Sequence, residues 1–276
     1  MNNAITFMED ELLKLAGVEE ERKEWNHYTY NGVPVPRVSH ILSQCTSNDY
    51  LIQWAANIGR RKYDMIREKA LTVGTIVHEL IDQYLTSKYI NKNSDYKLNY
   101  DWSLIDPMYK ENVINAFDGF TAWELSLNCK GYQIEDVYGL EIPIITPWYG
   151  GTIDGIIKIQ GVWYIVDFKT SKQIDESYIL QTAAYLYGIE SGFLPGAPQI
   201  GGIGIIRVDK SKLCTFDDLF LNKHNPYQND IIIKAQECFR SYLAAYYRTI
   251  NHIYNIQSFS KLYDSRTIFK ENIEVK

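Results

Sequence analysis

The fold of this chain is decided by the stretch GGTIDGIIKIQGVWYIVDFKT, residues Gly150–Thr170. It consists of two runs rich in Ile, Val, Trp and Tyr that are separated by Gln160-Gly161, which is the pattern of a β-hairpin. Glycine suits the second position of a two-residue turn because that residue adopts a positive φ. The stretch therefore predicts two antiparallel strands joined by a tight turn at Gln160-Gly161.

The turn also predicts which side chains face each other. With this turn Ile159 faces Val162, and counting back along both strands places Asp154 opposite Asp167. Directly opposed side chains lie about 4.5–5.5 Å apart at Cβ, and two carboxylates at that separation repel each other, more strongly when buried. Carboxylate oxygens are preferred ligands of Mg²⁺ and Mn²⁺. The pair therefore predicts a divalent-metal site.

A lysine accompanies this pair of acids. Lys169 shares a face with Asp167 because side chains alternate along a strand, and an ammonium there could orient a water or stabilise charge on a phosphate. The alternative is an ion-pair cluster on a solvated face. Alternation predicts apolar neighbours on both faces: Ile153, Ile157, Val166 and Phe168 on one, and Ile156, Ile165 and Trp163 beside the acids. The partly apolar surroundings favour a built site over a solvated face.

The rest of the chain predicts a mixed sheet flanked by helices, an α/β fold. Helices are predicted over 47–70, 71–88, 108–128, 175–190 and 228–257, and strands over 132–146, 148–160, 162–170 and 201–209. An Asn31-Gly32 turn precedes a short edge strand or extended arm. We interpret 1–276 as a single domain. Its helical and extended N-terminal part runs to residue 70, its core over 71–210, and its C-terminal helical part over 211–276.

Composition limits the classes of function. The net charge is −6, which is unlike a generally basic nucleic-acid binder, so a local basic groove or a bound metal would have to attract any nucleic acid. There is no apolar run long enough for a bilayer, and the acidic start MNNAITFMEDELLKL is unlike a signal peptide, so we expect no membrane partner and a cytoplasmic protein. The four cysteines contain no C-x-x-C pair, which argues against a disulfide framework or zinc ribbon.

Three short motifs resemble the PD-(D/E)XK nuclease superfamily, and in particular its RecB-like branch. They are GGTIDG, YIVDFKT and QTAAY. The family pattern has an aspartate on one strand, D-x-K on the next, and Q-x-x-x-Y on the following helix. These elements match Asp154, then Asp167 with Lys169, then Gln181 with Tyr185. The resemblance covers roughly residues 70–190 and implies a restriction-endonuclease-like core.

The same branch has a G-x-x-x-H helix and often an earlier acid. VGTIVHELI supplies Gly74 and His78, and GLEIPI supplies Glu141. The resemblance implies a metal held by His78, Asp154, Asp167 and the backbone carbonyl of Phe168. Glu141 is either a further ligand, direct or through water, or an exposed strand residue. Some members carry an iron–sulfur cluster on late cysteines that this sequence lacks, so we predict none.

The implied function is that of a metal-dependent DNA exonuclease using one or two Mg²⁺ or Mn²⁺ ions. By resemblance it is phage-type and acts in the host cytoplasm in recombination, replication or DNA degradation; a homo-oligomer or partner proteins in those processes stay open. Gln181 and Tyr185 would position Lys169 or contact DNA. Candidate phosphate contacts are Arg60, Arg61, Lys62 and Lys172. Two alternatives remain: a catalytically silent nucleic-acid-binding module of the same fold, and a metal-dependent endonuclease or hydrolase of RNA or a small phosphoester.

Overall fold

The structure, a computed structural model, describes residues 28–45, 49–92, 101–103 and 105–254. The first 27 residues of the predicted helical and extended N-terminal part, an acidic helix and a short connector by their sequence pattern, lie outside these residues. Residues 28–35 form a small hairpin of strands β1 (Tyr28–Tyr30) and β2 (Val33–Val35). Its turn is the predicted Asn31-Gly32, where both residues have positive φ.

A five-stranded mixed sheet forms the centre of the fold. Its strands are β3 (Ile134–Ile145), β4 (Gly150–Ile159), β5 (Val162–Lys169), β6 (Ile200–Val208) and β7 (Phe216–Asn222), in that spatial order. The β5–β6 pair is parallel and the other three pairs are antiparallel. The predicted mixed sheet is confirmed. The prediction of a helical C-terminal part over 211–276 is wrong at its start, because β7 lies within this range.

Helices flank this sheet on both faces. They are α1 (Val38–Cys45), α2 (Asp49–Ile58), α3 (Arg60–Leu85), α4 (Pro107–Cys129), α5 (Glu176–Glu190) and α6 (Pro226–Tyr254), and a π-helical turn over Thr86–Ile90 continues α3. The predicted helix boundary at residue 70 is wrong, because α3 runs through it and the break falls at Gly59, where φ is +81°. Within the described ranges no helix is both long and apolar enough to cross a bilayer.

The hairpin of β4 and β5 has the predicted register. Gln160 and Gly161 form the turn with φ of 52° and 74°, and the pairs run from Ile159–Val162 to Gly155–Val166. Asp154 and Asp167 occupy the next position along the hairpin, just beyond the pair Gly155–Val166. The turn chemistry therefore places the two acids at the same end of the hairpin, just beyond the regular ladder.

Two apolar clusters pack against opposite faces of the sheet. One lies under α3 and α4 and contains Val77, Phe120 and Val166; the other lies under α1, α5 and α6 and contains Ile41, Leu186 and Phe239. The helical spacing of Val73, Val77, Leu80, Ile81 and Tyr84 predicts one buried stripe on α3; the first four are buried and Tyr84 is partly buried against the same cluster. The sheet is therefore the middle layer, and its open end, where β4 begins and β5 ends, lies between α3 and α5.

The alternation of β4 is interrupted next to Asp154. Ile153 and Ile156 pack in the same cluster, whereas Ile157 packs in the other. The predicted placement of Ile153 beside Ile157 is therefore wrong. The neighbouring strand is irregular at the same level, since Glu141, between the paired residues Leu140 and Ile142, has φ of +48°. Such local irregularities re-aim side chains and are common beside functional sites.

Candidate functional site

Three predicted side chains converge at the open end of the sheet. In the part of the chain that the structure describes, ligand atoms of His78, Glu141 and Asp154 all lie within 4.8 Å of one another. They come from α3, β3 and β4. Asp154 is only 9% exposed, whereas Glu141 is exposed. An imidazole and two carboxylates at this spacing are a donor set that suits Mn²⁺ or Mg²⁺.

Hydrogen bonds orient the imidazole of His78. Its Nε2 lies 2.9 Å from the carbonyl oxygen of Phe168, and because a carbonyl only accepts, Nε2 carries the proton. In the neutral imidazole Nδ1 then carries the lone pair, and it lies 3.7 Å from Oδ2 of Asp154. In this tautomer His78 could bind a metal through Nδ1, with the backbone carbonyl holding the ring in place, as is usual for metal-binding histidines. The Phe168 carbonyl, predicted as a ligand, accepts from His78 in this structure.

Asp154 is tied to the adjacent strand. Its Oδ2 accepts a hydrogen bond of 2.7 Å from the backbone N–H of Phe168. The carboxylate thus occupies a fixed position beyond the end of the β4–β5 ladder. A carboxylate held by a backbone donor keeps one oxygen available for a further partner.

Asp167 lies on the other side of this end, outside the three-residue cluster. It is 1% exposed. Its Oδ1 accepts from Lys169 Nζ at 2.7 Å and from Gln181 Nε2 at 3.3 Å, while its Oδ2 is buried without a hydrogen-bond partner among the described residues. Burial, and less strongly the charge of Asp154, raise the pKa of Asp167 to about 6, against the opposing effect of Lys169. A buried carboxylate oxygen without a partner costs free energy, so this atom is a candidate ligand atom for a cation.

Lys169 carries the positive charge beside Asp167. Burial alone would lower the pKa of Lys169, but the carboxylates of Asp167 and Asp154 outweigh it and hold that pKa above its ordinary value. Nζ also lies 5.1 Å from the ring centroid of Tyr178 on α5, a favourable cation–π distance. The ammonium therefore stays charged at neutral pH.

The predicted pair on α5 makes direct contact. Gln181 Nε2 donates to the hydroxyl of Tyr185 at 3.0 Å, as expected for residues four apart on one helix face. Burial raises the pKa of Tyr185, so its hydroxyl is neutral at physiological pH. Its ring packs on Gly151, where a Cβ would lie 2.4 Å from a ring carbon. The first motif thus requires glycine there, and Gln181 links Tyr185 to Asp167.

From the sequence, Gly74 is predicted to let a strand or a DNA backbone approach α3 closely. A Cβ at this position would lie 3.5 Å from the hydroxyl oxygen of Thr170, an ordinary contact. The helix is close to the end of β5, but this approach does not require a glycine. The contact places α3 directly over the segment that follows Lys169.

Arg207 holds that segment in place. The guanidinium is 5% exposed, donates through Nε to the carbonyl of Ser171 at 3.0 Å and through Nη2 to the carbonyl of Lys172. It also pairs with Asp209 at 3.1 Å. The parallel register places Arg207 beside Lys169. One buried arginine thus fixes the chain just after the D-x-K strand.

Asp82 belongs to the site but is absent from the sequence prediction. It lies one turn after His78 on α3 and is half-buried. Burial, followed by the charges of Glu141 and Asp154, raises the pKa of Asp82 to about 6. The signal was present as H-x-x-x-D in HELID, because residues four apart share a helix face. Four acids therefore meet at this end of the sheet.

The predicted basic cluster does not reach the site. Arg60, Arg61 and Lys62 are exposed at the start of α3, and the Arg60 side chain is 95% exposed and 3.9 Å from Asp64. At 1.5 Å per residue, Arg61 lies about 26 Å along the helix from His78. These residues stay candidates for distant phosphate contacts only.

A different group of cations lies near the end of β5. Burial lowers the pKa of Lys210, and the charges of Lys69 and Lys172 lower it further, against the effect of Asp209. These lysines come from α3, from the loop after β5 and from the segment after β6. Of the three, only Lys172 was predicted as a phosphate contact. Lys69 and Lys210 could not be paired with it from the sequence, because only the fold brings them together.

Neither a comparison of this chain with known protein families nor one with individual known proteins finds a match. The resemblance to RecB-like nucleases therefore stays a prediction that rests on the motif residues. The structure tests their positions independently. It brings His78, Glu141 and Asp154 into one cluster, sets Asp167 and Lys169 beside it, and leaves Arg60–Lys62 outside.

Proposed function

We propose that this protein is a metal-dependent DNA nuclease with a restriction-endonuclease-like core, acting by resemblance as an exonuclease. The observation that carries the proposal is the buried Oδ2 of Asp167, which has no hydrogen-bond partner in the part of the chain that the structure describes, beside the cluster of His78, Glu141 and Asp154. A fold that collects these acids at one point needs a compensating cation. Carboxylate and imidazole donors suit Mg²⁺ or Mn²⁺.

The residues would divide the work as follows. His78 through Nδ1, Asp154 and Asp167 would hold the metal, with Glu141 as a direct or water-mediated ligand. When bound, the ion would supply an activated water and neutralise charge on the scissile phosphate. Lys169 stays protonated, so it can stabilise developing negative charge but cannot accept a proton at neutral pH. Gln181 holds Asp167 and Tyr185 in register with each other.

The lysines near the end of β5 support a nucleic acid as substrate. Like charges at Lys69, Lys172 and Lys210 oppose one another, and a phosphate chain would relieve that repulsion. They lie beside the segment that directly follows Lys169. In a chain of net charge −6, such a local group can attract a polyanion without a generally basic surface.

The test is a cleavage assay on end-labelled single- and double-stranded linear DNA, closed circular DNA and RNA. Each substrate is incubated with Mg²⁺, Mn²⁺ or EDTA. We expect metal-dependent loss of linear DNA with the circle intact, and a fall of about a thousandfold or more in Asp167→Ala. The matched control is Asp230→Ala, an exposed acid on α6, which should cleave like the wild type.

The other outcomes each reject part of the proposal. Cutting of the closed circle would mean an endonuclease, and preference for RNA would change the substrate class. Normal cleavage by Asp167→Ala would remove this site from the mechanism. Binding without cleavage in every lane would identify a silent nucleic-acid-binding module of the same fold.

A further inference from the structure

We infer that Arg37, together with the hydroxyls of Tyr28 and Thr152, forms a phosphate-binding subsite beside the catalytic centre. The inference rests on the proposed function, because it assigns the bound phosphate to the nucleic-acid substrate. Thr152 lies in the first motif, GGTIDG, but has no role there, and Tyr28 and Arg37 lie outside the three motifs. Tyr28 is on β1, Arg37 directly precedes α1, and Thr152 is on β4.

The first observation is an arginine without an anion. The Nε of Arg37 is buried and has no hydrogen-bond partner among the described residues. Among the described residues the Arg37 guanidinium forms no ion pair. Its Cζ lies 5.8 Å from the centroid of the Tyr28 ring. Arginine is never deprotonated in proteins. Arg37 is only partly exposed, and an anionic ligand would pair the charge that the described residues leave unpaired.

The second observation is a pair of hydroxyls next to that arginine. The hydroxyl oxygens of Tyr28 and Thr152 lie 2.6 Å apart. Only one hydrogen is used in this bond, whichever group donates, so the other hydroxyl hydrogen is free for an outside acceptor. A guanidinium with a nearby hydroxyl donor is suited to the oxygens of a phosphate group.

The third observation is the position of this group. Arg37 bridges to Gly150 at the start of β4, and the Gly150 N–H donates to the carbonyl of Pro36 at 2.9 Å. Thr152 lies two residues before Asp154, about 6.6 Å along a strand. Neighbouring phosphates of one nucleic acid strand can span such a separation. The backbone pairing thus fixes Arg37 at the same end of the sheet as the candidate metal ligands.

Packing connects the subsite to α5. The ring of Tyr28 covers Gly150, where a Cβ would lie 2.5 Å from a ring carbon. Tyr28 is also close enough to Tyr185 to raise its pKa slightly, and Tyr185 is bonded through Gln181 to Asp167. The acids nearby would attract a mobile arginine, yet Arg37 pairs with none of them in the described structure. The geometry keeps this cation available for a substrate phosphate.

The experiment measures binding of oligothymidine of about ten nucleotides, labelled at its 3′ end and with or without a 5′-phosphate. Asp167→Ala is the background, which prevents cleavage. We expect the added change Arg37→Met to weaken binding about tenfold and to reduce the slope of log affinity against log salt by about 0.7. Arg37→Lys should recover part of the affinity. Lys130→Gln, an exposed cation after α4, is the matched control and should bind like the background.

The two forms of the probe identify the phosphate. If Arg37→Met removes only the advantage of the 5′-phosphate, the subsite holds a terminal phosphate; an equal loss with both probes assigns an internal phosphate. Unchanged binding and salt slope in Arg37→Met would overturn the inference.

Thermal unfolding separates this inference from the proposed function. Arg37→Met should unfold at about the same or a higher temperature, because it removes a partly buried cation that forms no ion pair with the described residues. Inorganic phosphate should stabilise the wild type more than this variant. A wild type that neither cuts nor binds nucleic acid would reject the proposed function, while this phosphate effect would still report on the subsite. Destabilisation by Arg37→Met without a differential phosphate effect would assign Arg37 a structural role instead.

Discussion

Two buried carboxylates in this protein have opposite surroundings. Glu124 on α4 is 6% exposed, and both of its oxygens accept hydrogen bonds: Lys88 Nζ lies 3.0 Å from each, the Tyr84 hydroxyl lies 2.5 Å from Oε2, and Tyr89 donates to Oε1. Asp167 has donors on one oxygen only, and its other oxygen is buried without a partner in the described structure.

We interpret Glu124 as a structural charge, and the proposed function assigns Asp167 a role in metal binding. Glu124 fastens α4 to the end of α3 and the following π-helical turn, and its donors compensate for its burial. Lys169 offsets part of the cost of burying the Asp167 carboxylate. The raised pKa of Asp167 shows that this compensation is incomplete. The buried charge of Glu124 is fully paired within the fold, whereas the half-paired Asp167 is the one for which we propose a metal partner.

The largest effect on stability is expected at Glu124. Glu124→Gln removes the charge that pairs with Lys88 and exchanges one acceptor oxygen for a donor that faces other donors. We expect the free energy of unfolding in urea to fall by about 2 kcal/mol. Cleavage by the folded fraction should be unchanged, because Glu124 belongs to a network separate from the residues proposed to bind metal.

Asp167→Ala provides the contrast to this variant. In it the rise in unfolding temperature on adding Mn²⁺ should be lost, while in Glu124→Gln that rise should persist. If Glu124→Gln stays folded but no longer cleaves, the division between structural and functional carboxylates is wrong.

The sequence predicted the parts of the site that local chemistry determines. The turn at Gln160-Gly161 gave the hairpin register, and helical spacing gave the contact between Gln181 and Tyr185. Strand β7 was missed because its sequence, FDDLFLN, carries two adjacent acids and does not have a typical strand pattern. One of these acids, Asp217, forms an ion pair of 3.2 Å with Arg207 on the neighbouring strand, a long-range contact that the local sequence does not reveal. Lys69 and Lys210 meet Lys172 only through the tertiary fold. The misplacement of Ile153 has the same origin, since regular alternation cannot anticipate the irregular backbone at Glu141.

A smaller effect, with a defined pH dependence, is expected at Asp82. Its pKa is about 6 in the folded protein against an ordinary value of 3.8, so the folded state binds the proton more tightly than the unfolded state. The ionised carboxylate therefore lowers the free energy of unfolding. This loss of stability is absent below about pH 4, grows as the pH rises from about 4 to 6 and is complete above pH 6. Because Asp82 is only half-buried, solvent screening reduces this loss to about 1 kcal/mol.

Asp82→Asn should therefore stabilise the metal-free protein at pH 8 by about that amount, or about 2 °C in unfolding temperature, and by much less at pH 4.5. Added Mn²⁺ should shrink the gain at pH 8, because the cation already relieves the repulsion. Asp230→Asn, on the exposed surface of α6, is the control and should show no comparable change with pH. An equal gain at both pH values would mean that charge repulsion at the site is not its cause.

The smallest effect should distinguish the lysines near the end of β5 from the distant basic cluster on α3. Lys172→Gln should reduce the salt slope for a single-stranded probe of about three nucleotides by about 0.7, the share of one phosphate contact, whereas Arg61→Gln should leave it unchanged. The reason is distance: Arg61 lies about 26 Å along α3 from His78, so only a longer strand that follows the helix can reach both. With a probe several times longer, both variants should lower the slope. Equal slopes for Lys172→Gln and the wild type on the short probe would remove these lysines from the substrate path, and an effect of Arg61→Gln on that probe would place the bound strand along α3.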